Sequence, residues 1–339
     1  MKHLLLILIG IPFFSCSQKK AAIASDKGQT AIVVSYNVEN LFDTINDVKK
    51  NDEDFLPEGK LNWNTEKYLE KLNRIGQAIS NNKSEFPDIV GLIEIENKTV
   101  LKDLCNNSYL KEGEYDFIWF EGPDERGIDV ALLYRKKNVT ILSSNAIPVI
   151  LKSDTDPNTR DILHVEAKIG DLPIHFYVNH WPSRRGGQTQ SEPFRLQAAE
   201  ILKKEIDSQR KKNSNANIIC MGDFNDFPSN SSLKDVLRAT DINHLSESDL
   251  VNLMSDDELA KDGTHFYQNE WSMLDQFIVS KNLFDQALSA ESASIVKYDF
   301  LYYTNKNGVK SPSRSYVGDS YKGGYSDHLP IKLIVRVSK

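Results

Sequence analysis

The chain has 339 residues, 40% of them hydrophobic and 26% charged, a globular composition that excludes disordered and fibrous classes and allows a sizeable core. Its formal net charge of -7 argues against a long, uniformly basic track for nucleic acid, although a catalytic metal site is itself built from carboxylates. Cys16, Cys105 and Cys220 form neither a disulfide framework nor a zinc pattern.

Lys2 and His3 precede an apolar run from Leu4 to Phe14, then Ser15-Cys16. A basic end and a short apolar stretch read as a secretory signal, too short to span a membrane comfortably. A small residue directly before a cysteine resembles a bacterial lipobox, with Cys16 as the lipidated first residue. A plain cleaved signal with an incidental Cys16 is the alternative. Residues 1–16 are thus expected to be a signal peptide with a lipobox, 17–29 a polar flexible tether, and 30–339 one folded domain. The protein is expected to be exported and lipid-anchored in the bacterial cell envelope.

The folded region opens with an apolar strand at Ala31–Tyr36, followed by helical spacing over Tyr68–Ile79. Strand-like runs follow at Asp88–Ile95, Tyr115–Phe120, Val130–Tyr134, Val139–Leu142, His164–Ile169, Ile174–Asn179, Asn217–Met221, Gln276–Val279 and Ile331–Val335. Helices are expected at Pro193–Gln209 and Ser231–Ala239. Many strands with few helices, and no dividing linker, point to a single α/β domain.

Polar, ligand-type residues recur at the ends of these strands, where a rigid sheet can present a site. Asn37 follows the first strand, although an Asn that merely turns the chain fits as well. Glu94 interrupts an apolar run, a costly place for a carboxylate unless it is paired or coordinated; emergence at the surface is the alternative. Asp129 opens a strand, and Arg126 before it could meet an anion. In Val178-Asn-His-Trp-Pro-Ser-Arg-Arg-Gly-Gly187, Asn179 and His180 can donate to a phosphate. Trp181 could stack on a base or fill the core, and Arg184 and Arg185 could meet phosphate or water. Ile219-Cys-Met-Gly-Asp-Phe-Asn-Asp226 places Asp223 and Asn225 on one side by alternation. Asp275 precedes a strand, and Ser326-Asp-His328 supplies a second candidate metal ligand, Asp327, and a base, His328, for which Asp275 is the natural orienting partner.

Taken in order, Asn37, Glu94, Asn179-His180, Gly222-Asp-Phe-Asn225, Asp275 and Ser326-Asp-His328 resemble the endonuclease/exonuclease/phosphatase superfamily over Ile32 to Val337. That superfamily includes pancreatic-type deoxyribonucleases, apurinic-site endonucleases, bacterial sphingomyelinases and inositol polyphosphate 5-phosphatases. The resemblance implies a four-layer α/β sandwich, two packed mixed β-sheets flanked by helices, with the site at one edge. It implies Mg²⁺, or Mn²⁺, held by Glu94 and Asp327 with Asn37 nearby. Asp275 would orient His328, the leading candidate base. Asp223 would position water or support the leaving group, and Asn225, Asn179 and His180 would bind phosphate. The phosphate-loop tyrosine of apurinic-site enzymes has no counterpart, which weakens a DNA-repair reading.

The expected function is a metal-dependent phosphoesterase acting as a monomer. A secreted endonuclease on DNA or RNA comes first, favoured by Trp181, Arg184, Arg185 and the basic stretch Lys306, Lys310 and Arg314. A phosphatase or phosphodiesterase on lipid head groups, inositol phosphates or other small esters is the second reading. A non-catalytic surface binding lipoprotein is the third.

Overall fold

The apolar runs of the sequence pair into two large sheets. The structure, a computed structural model, describes residues 29–152, 158–245, 250–255 and 263–337. The expected signal peptide and Cys16 lie outside the described residues. In chain order the strands are β1 (Gln29–Leu41), β2 (Ile89–Ile95), β3 (Tyr115–Trp119), β4 (Asp129–Arg135), β5 (Val139–Ile147), β6 (Ile162–Ile169), β7 (Leu172–His180), β8 (Ile218–Asp223), β9 (Ala239–Thr240) and β10 (Leu250–Asn252). There follow β11 (His265–Tyr267), β12 (Glu270–Ser272), β13 (Asp275–Ser280), β14 (Ala293–Ile295), β15 (Tyr302–Thr304), β16 (Lys310–Pro312), β17 (Tyr316–Val317), β18 (Ser320–Tyr321) and β19 (Ile331–Val337). The longer helices are α1 (Thr65–Ser80), α2 (Lys98–Asn106) and α3 (Gln188–Lys212).

One sheet has six strands in the order β14-β19-β1-β2-β4-β3, and the other seven in the order β5-β6-β7-β8-β13-β10-β9. Each is mixed: β1 and β2 pair in parallel, as do β7 and β8, while their other neighbours run antiparallel. The inner faces meet in a core that joins Val33, Leu92 and Leu132 to Phe176, Ile219, Met221 and Phe277. Gly91 marks a close approach of the two sheets, since a Cβ there would lie 2.8 Å from the Met221 methyl. α1 and α2 cover the first sheet with Leu72, Ile75, Ile79, Leu101 and Leu104. α3 covers the second through a separate cluster of Tyr177, Trp181, Ala198, Leu202, Ile206 and Cys220. The layers are therefore helix, sheet, sheet, helix, as expected.

α1 begins where the Asn64 side chain accepts from the Lys67 amide and stops at Asn81, whose φ of 44° is left-handed. α3 starts before Pro193, the residue read as its beginning. Pro193 sits inside the helix, and the first turn is held by the Ser191 hydroxyl, which donates to the Gly187 carbonyl at 2.7 Å. The helix expected at Ser231–Ala239 is instead a five-residue π-turn, Ser232–Val236, and Ala239 already belongs to β9. Cys105 and Cys220 are both buried and unpaired. Among the described residues no helix is long and apolar enough to cross a membrane.

Candidate active site

Register assembles the site at one end of the sheets. β7 lies beside β8 with Asn179 opposite Gly222 and His180 opposite Asp223, and β13 sets Asp275 opposite Asp223. Only glycine suits position 222: its φ is 132°, and a Cβ there would meet the Asn179 carbonyl oxygen at 2.0 Å. From the other sheet, β1 and β2 both break register near their ends. Glu39, Asn40 and Glu94 take positive φ values of 54°, 53° and 71°. Such conformations cost non-glycine residues about 1–3 kcal/mol each and persist where contacts over-determine them. Here the Asn40 amide donates to Glu94 Oε2 at 2.8 Å and the Glu39 amide to Asn37 Oδ1 at 3.1 Å.

His328 is the centre of the arrangement. Its Nδ1 donates to Asp275 Oδ2 at 2.7 Å, and its Nε2 lies 3.8 Å from Asp223 Oδ2. Burial opposes the charged ring, but Asp275 and Asp223 outweigh it and hold the His328 pKa well above the ordinary value. Burial raises the Asp223 carboxyl to about 6, against the pull of His328. His180 places Nε2 at 3.8 Å from both Glu94 Oε1 and Asp223 Oδ2. Burial, then the charges of Arg160 and Arg126, push its pKa well below normal, so this ring is neutral. On the other flank, Arg314 Nη2 donates to Asp327 Oδ2 at 2.9 Å, and its Nε lies 3.5 Å from Glu39 Oε1. The Ser326 hydroxyl donates to the Asn37 carbonyl at 2.6 Å and fixes the loop that carries Asp327.

Several expected residues do other work. Asn37 offers its amide nitrogen to Glu94 and Asp223 at 3.4 and 3.2 Å while its oxygen is taken by Glu39, so it orders carboxylates rather than presenting a metal ligand. Asn179 donates to the Tyr177 and Met221 carbonyls and accepts from the Trp181 indole, which turns its amide into the sheet. Trp181 is 1% exposed and packs edge-on against Phe224 at 4.8 Å, so it is core and not a stacking platform. Arg184 braces the loop: its Nε donates to the Asn225 carbonyl at 2.7 Å and its head covers Phe227. Asn225 donates its amide nitrogen to the Trp181 carbonyl at 3.0 Å, and its backbone amide holds Asp223 Oδ1 at 2.9 Å. Arg185 is exposed, and Arg126 stands at the rim with its Nε 3.6 Å from Asp124. Asp129 accepts from the Gly122 amide at 3.1 Å.

Other residues carried no sequence signal. Arg160, buried, donates to Asp124 at 3.2 Å and to the Trp181 carbonyl at 2.7 Å. Lys71, buried in α1, approaches Glu39 at 3.7 Å and donates to the Tyr325 carbonyl. His265 pairs with His328 through an isolated bridge and lies 4.7 Å from it, ring to ring. Arg160 and His265 sit in polar stretches and Lys71 in an amphipathic helix, and only the tertiary fold brings them here.

A family model for the endonuclease/exonuclease/phosphatase family matches residues 32–337. The chain belongs to that family. No match was found among curated protein sequences. Solved structures share the fold. A family member from Bacteroides thetaiotaomicron aligns at 17% identity and a TM-score of 0.57 over 91% of this chain and 95% of its own. A mannosyl-6-phosphatase from the same organism aligns at 18% identity and 0.56, over 89% and 98%. Truncated TDP2 from Caenorhabditis elegans aligns at 14% and 0.56, over 91% and 98%.

The donor chemistry of the site fits the divalent cation typical of the family. Glu94, Asp223, Asp275 and Asp327 crowd one edge, with His180 neutral. Glu94 and Asp327 are the two carboxylates whose side chains stay partly open, at 15% and 22% exposure. Oxygen donors of this kind suit Mg²⁺. His265 has a ring nitrogen within 4.8 Å of the ligand atoms of Asp327 and His328, a feature that Mn²⁺ accepts more readily than Mg²⁺ does.

Proposed function

We propose that this protein is a metal-dependent phosphoesterase that acts on small phosphate esters by attack of water on phosphorus. The observation that carries the reading is the convergence of Asp275, His328, Asp223, His180 and Glu94 within hydrogen-bonding or near-contact distances. Glu94 and Asp327 would hold the cation, Mg²⁺ or Mn²⁺, whose chemistry is to neutralise charge on a phosphoryl oxygen and on the leaving oxygen. Asp275 fixes His328 so that Nε2 faces the reaction centre. A ring held charged in this way suits donation to a phosphoryl oxygen, and Asp223 beside it suits accepting the proton of the attacking water. This assignment moves the base from His328 to Asp223. His180, neutral, donates a further hydrogen bond from Nε2.

Small esters are favoured over nucleic acid because two of the groups expected to grip a strand are engaged elsewhere, Trp181 in the core and Arg184 in its own loop, while Arg185 remains exposed. The test is phosphate release from a panel of small mono- and diesters by the full chain, with Mg²⁺ and with EDTA, beside nicking of supercoiled plasmid. Metal-dependent release with little nicking is expected. Nicking that outpaces release would restore the nuclease reading, and neither activity from folded protein would sink the phosphoesterase. We also propose export and lipid anchoring at Cys16, supported by the run Leu4–Phe14 and Ser15. Fatty-acid labelling lost in Cys16→Ser is the expected result, and labelling retained in that variant would refute it.

A further inference from the structure

Strand direction sorts the charges of this chain. β1 enters at Gln29 and reaches the reaction centre at Asn37, so the two ends of the sheets stand about 26 Å apart at a rise of about 3.3 Å per residue. Register assigns each turn to one end. Tyr134, at the close of β4, pairs with Ile89 at the start of β2, and Ile89 pairs with Val33 of β1, so the connection from β4 to β5 lies with Gln29. The end of α3 lies there too, because it feeds β8 at Ile218, opposite His175 in the first half of β7.

This far end is basic. The β4–β5 connection reads Arg135-Lys-Lys-Asn138 and the end of α3 reads Arg210-Lys-Lys-Asn-Ser-Asn215, with no acid in either. Lys136, Lys137, Lys211 and Lys212 are exposed. Lys136 meets Asp116 only at 3.9 Å, and the other three have no ion-pair partner among the described residues. Acids nearby are matched by other lysines: Asp171 by Lys168 at 3.3 Å, Glu112 by Lys83 at 3.6 Å and Glu85 by Lys332 at 3.4 Å. Glu114 and Glu291 are exposed and remain against the free lysines.

The site end has the opposite sign. Besides the carboxylates of the reaction centre, the segment after β1 carries Asp43, Asp47, Asp52, Glu53, Asp54 and Glu58 against Lys49 and Lys50. Lys50 is itself taken by Glu121 at 2.8 Å. The distance between the ends exceeds the screening length of about 8 Å at physiological salt, so they act as separate charges. An anionic surface attracts one and repels the other. The sequence also leads to a particular surface. β1 begins at the basic end, and upstream of it Lys19 and Lys20 closely follow Cys16.

We propose that the basic end is a docking face for an anionic phospholipid bilayer, so that the reaction centre points away from that bilayer. The face goes beyond the anchoring proposed above and acts without it; a lipid on Cys16 would add a second hold at the same end.

The experiment is sedimentation of the full chain carrying Cys16→Ser, which cannot be acylated there, with vesicles of phosphatidylcholine alone and of phosphatidylcholine mixed with phosphatidylglycerol. The apolar run Leu4–Phe14 would bind both vesicles alike, so the difference between them isolates the lysines. The anionic vesicles are expected to bind about tenfold or more tightly, an advantage that high salt removes. Lys136→Gln with Lys137→Gln, and Lys211→Gln with Lys212→Gln, are each expected to weaken that binding about tenfold and to leave binding to phosphatidylcholine unchanged. Lys49→Gln, at the site end, is expected to change neither. Direction is read with a dye on Ser214→Cys or on Val48→Cys, since Cys105 and Cys220 are buried. A lipid-borne quencher is expected to dim the dye at 214 and not at 48. Equal binding to both vesicles, a loss from Lys49→Gln as large as from either lysine pair, or quenching at 48 as strong as at 214 would overturn the face. Binding of duplex DNA through the same lysines, without binding of anionic vesicles, would overturn the bilayer as its partner. Absence of fatty-acid labelling in wild type would remove the anchor alone and leave the Cys16→Ser result standing.

Discussion

At the scale of single residues, His328 owes its orientation and charge to Asp275, which is completely buried and accepts at 2.7 Å. Asp275→Asn keeps the size and removes the charge, and it leaves the ring free to take the wrong tautomer. Turnover is expected to fall about 10²–10⁴-fold with a native circular dichroism spectrum, in the range of a lost acid–base group. A folded Asp275→Asn chain within threefold of wild type would refute the pairing's role. Asp129 has a different consequence. Burial lifts its carboxyl to about 7, against the hydrogen bond from the Gly122 amide. An unfolded aspartate titrates near 3.9, so between about 4 and 7 the native state binds a proton that the unfolded state does not. Stability from this group is fully present below about 3.9 and is lost as pH rises to about 7, a swing of up to roughly 4 kcal/mol. Asp129→Asn is expected to flatten that window in urea unfolding at pH 4.5, 6 and 8. An unchanged slope would count against the shifted carboxyl.

At the scale of elements, the site depends on two strands lying closer than side chains normally allow. Gly222→Ala would put a methyl carbon about where the Asn179 carbonyl oxygen stands and would strain φ as well. Loss of more than about 3 kcal/mol, or failure to fold, is expected, read by thermal melting; a melt within a few degrees of wild type would contradict the close approach. Much of this element was legible beforehand. Apolar runs ending in Asp, Asn or His marked β7 and β8, and Asp275 at the head of an apolar run marked β13, because a buried strand must be continuously apolar and a site must sit at its end. The helix ends were less legible. Pro193 reads as a helix start by its missing N–H, yet a hydroxyl–carbonyl bond one turn earlier extended α3 to Gln188. Side-chain direction was legible only in part. Alternation brings Asp223 to the site, but whether the amides of Asn37 and Asn179 face a ligand or the backbone depends on partners far apart in the chain. The same holds for Arg160, Lys71 and His265, whose places follow from the packing of both sheets.

For the molecule as a whole, the active site is where carboxylates are brought together. Glu94, Asp223, Asp275 and Asp327 meet at one edge, and the cationic groups among them, His328 and Arg314, are already engaged. A folded chain that gathers carboxylates in this way opposes its own compactness, whereas the unfolded chain separates them. A divalent cation that binds the native site and not the unfolded chain must then stabilise the fold by mass action, by about 2.7 kcal/mol at a concentration one hundred times its dissociation constant. The melting temperature is therefore expected to climb with Mg²⁺ or Mn²⁺ and to fall back with EDTA. In Glu94→Gln the carboxylate that would coordinate is gone, as is one of the repelling charges. That variant is expected to melt at or above the metal-free wild type and to respond much less to added cation. If wild type and Glu94→Gln shift equally with metal, the cation binds elsewhere, and the grouping of Glu94 with Asp327 as its ligands is wrong.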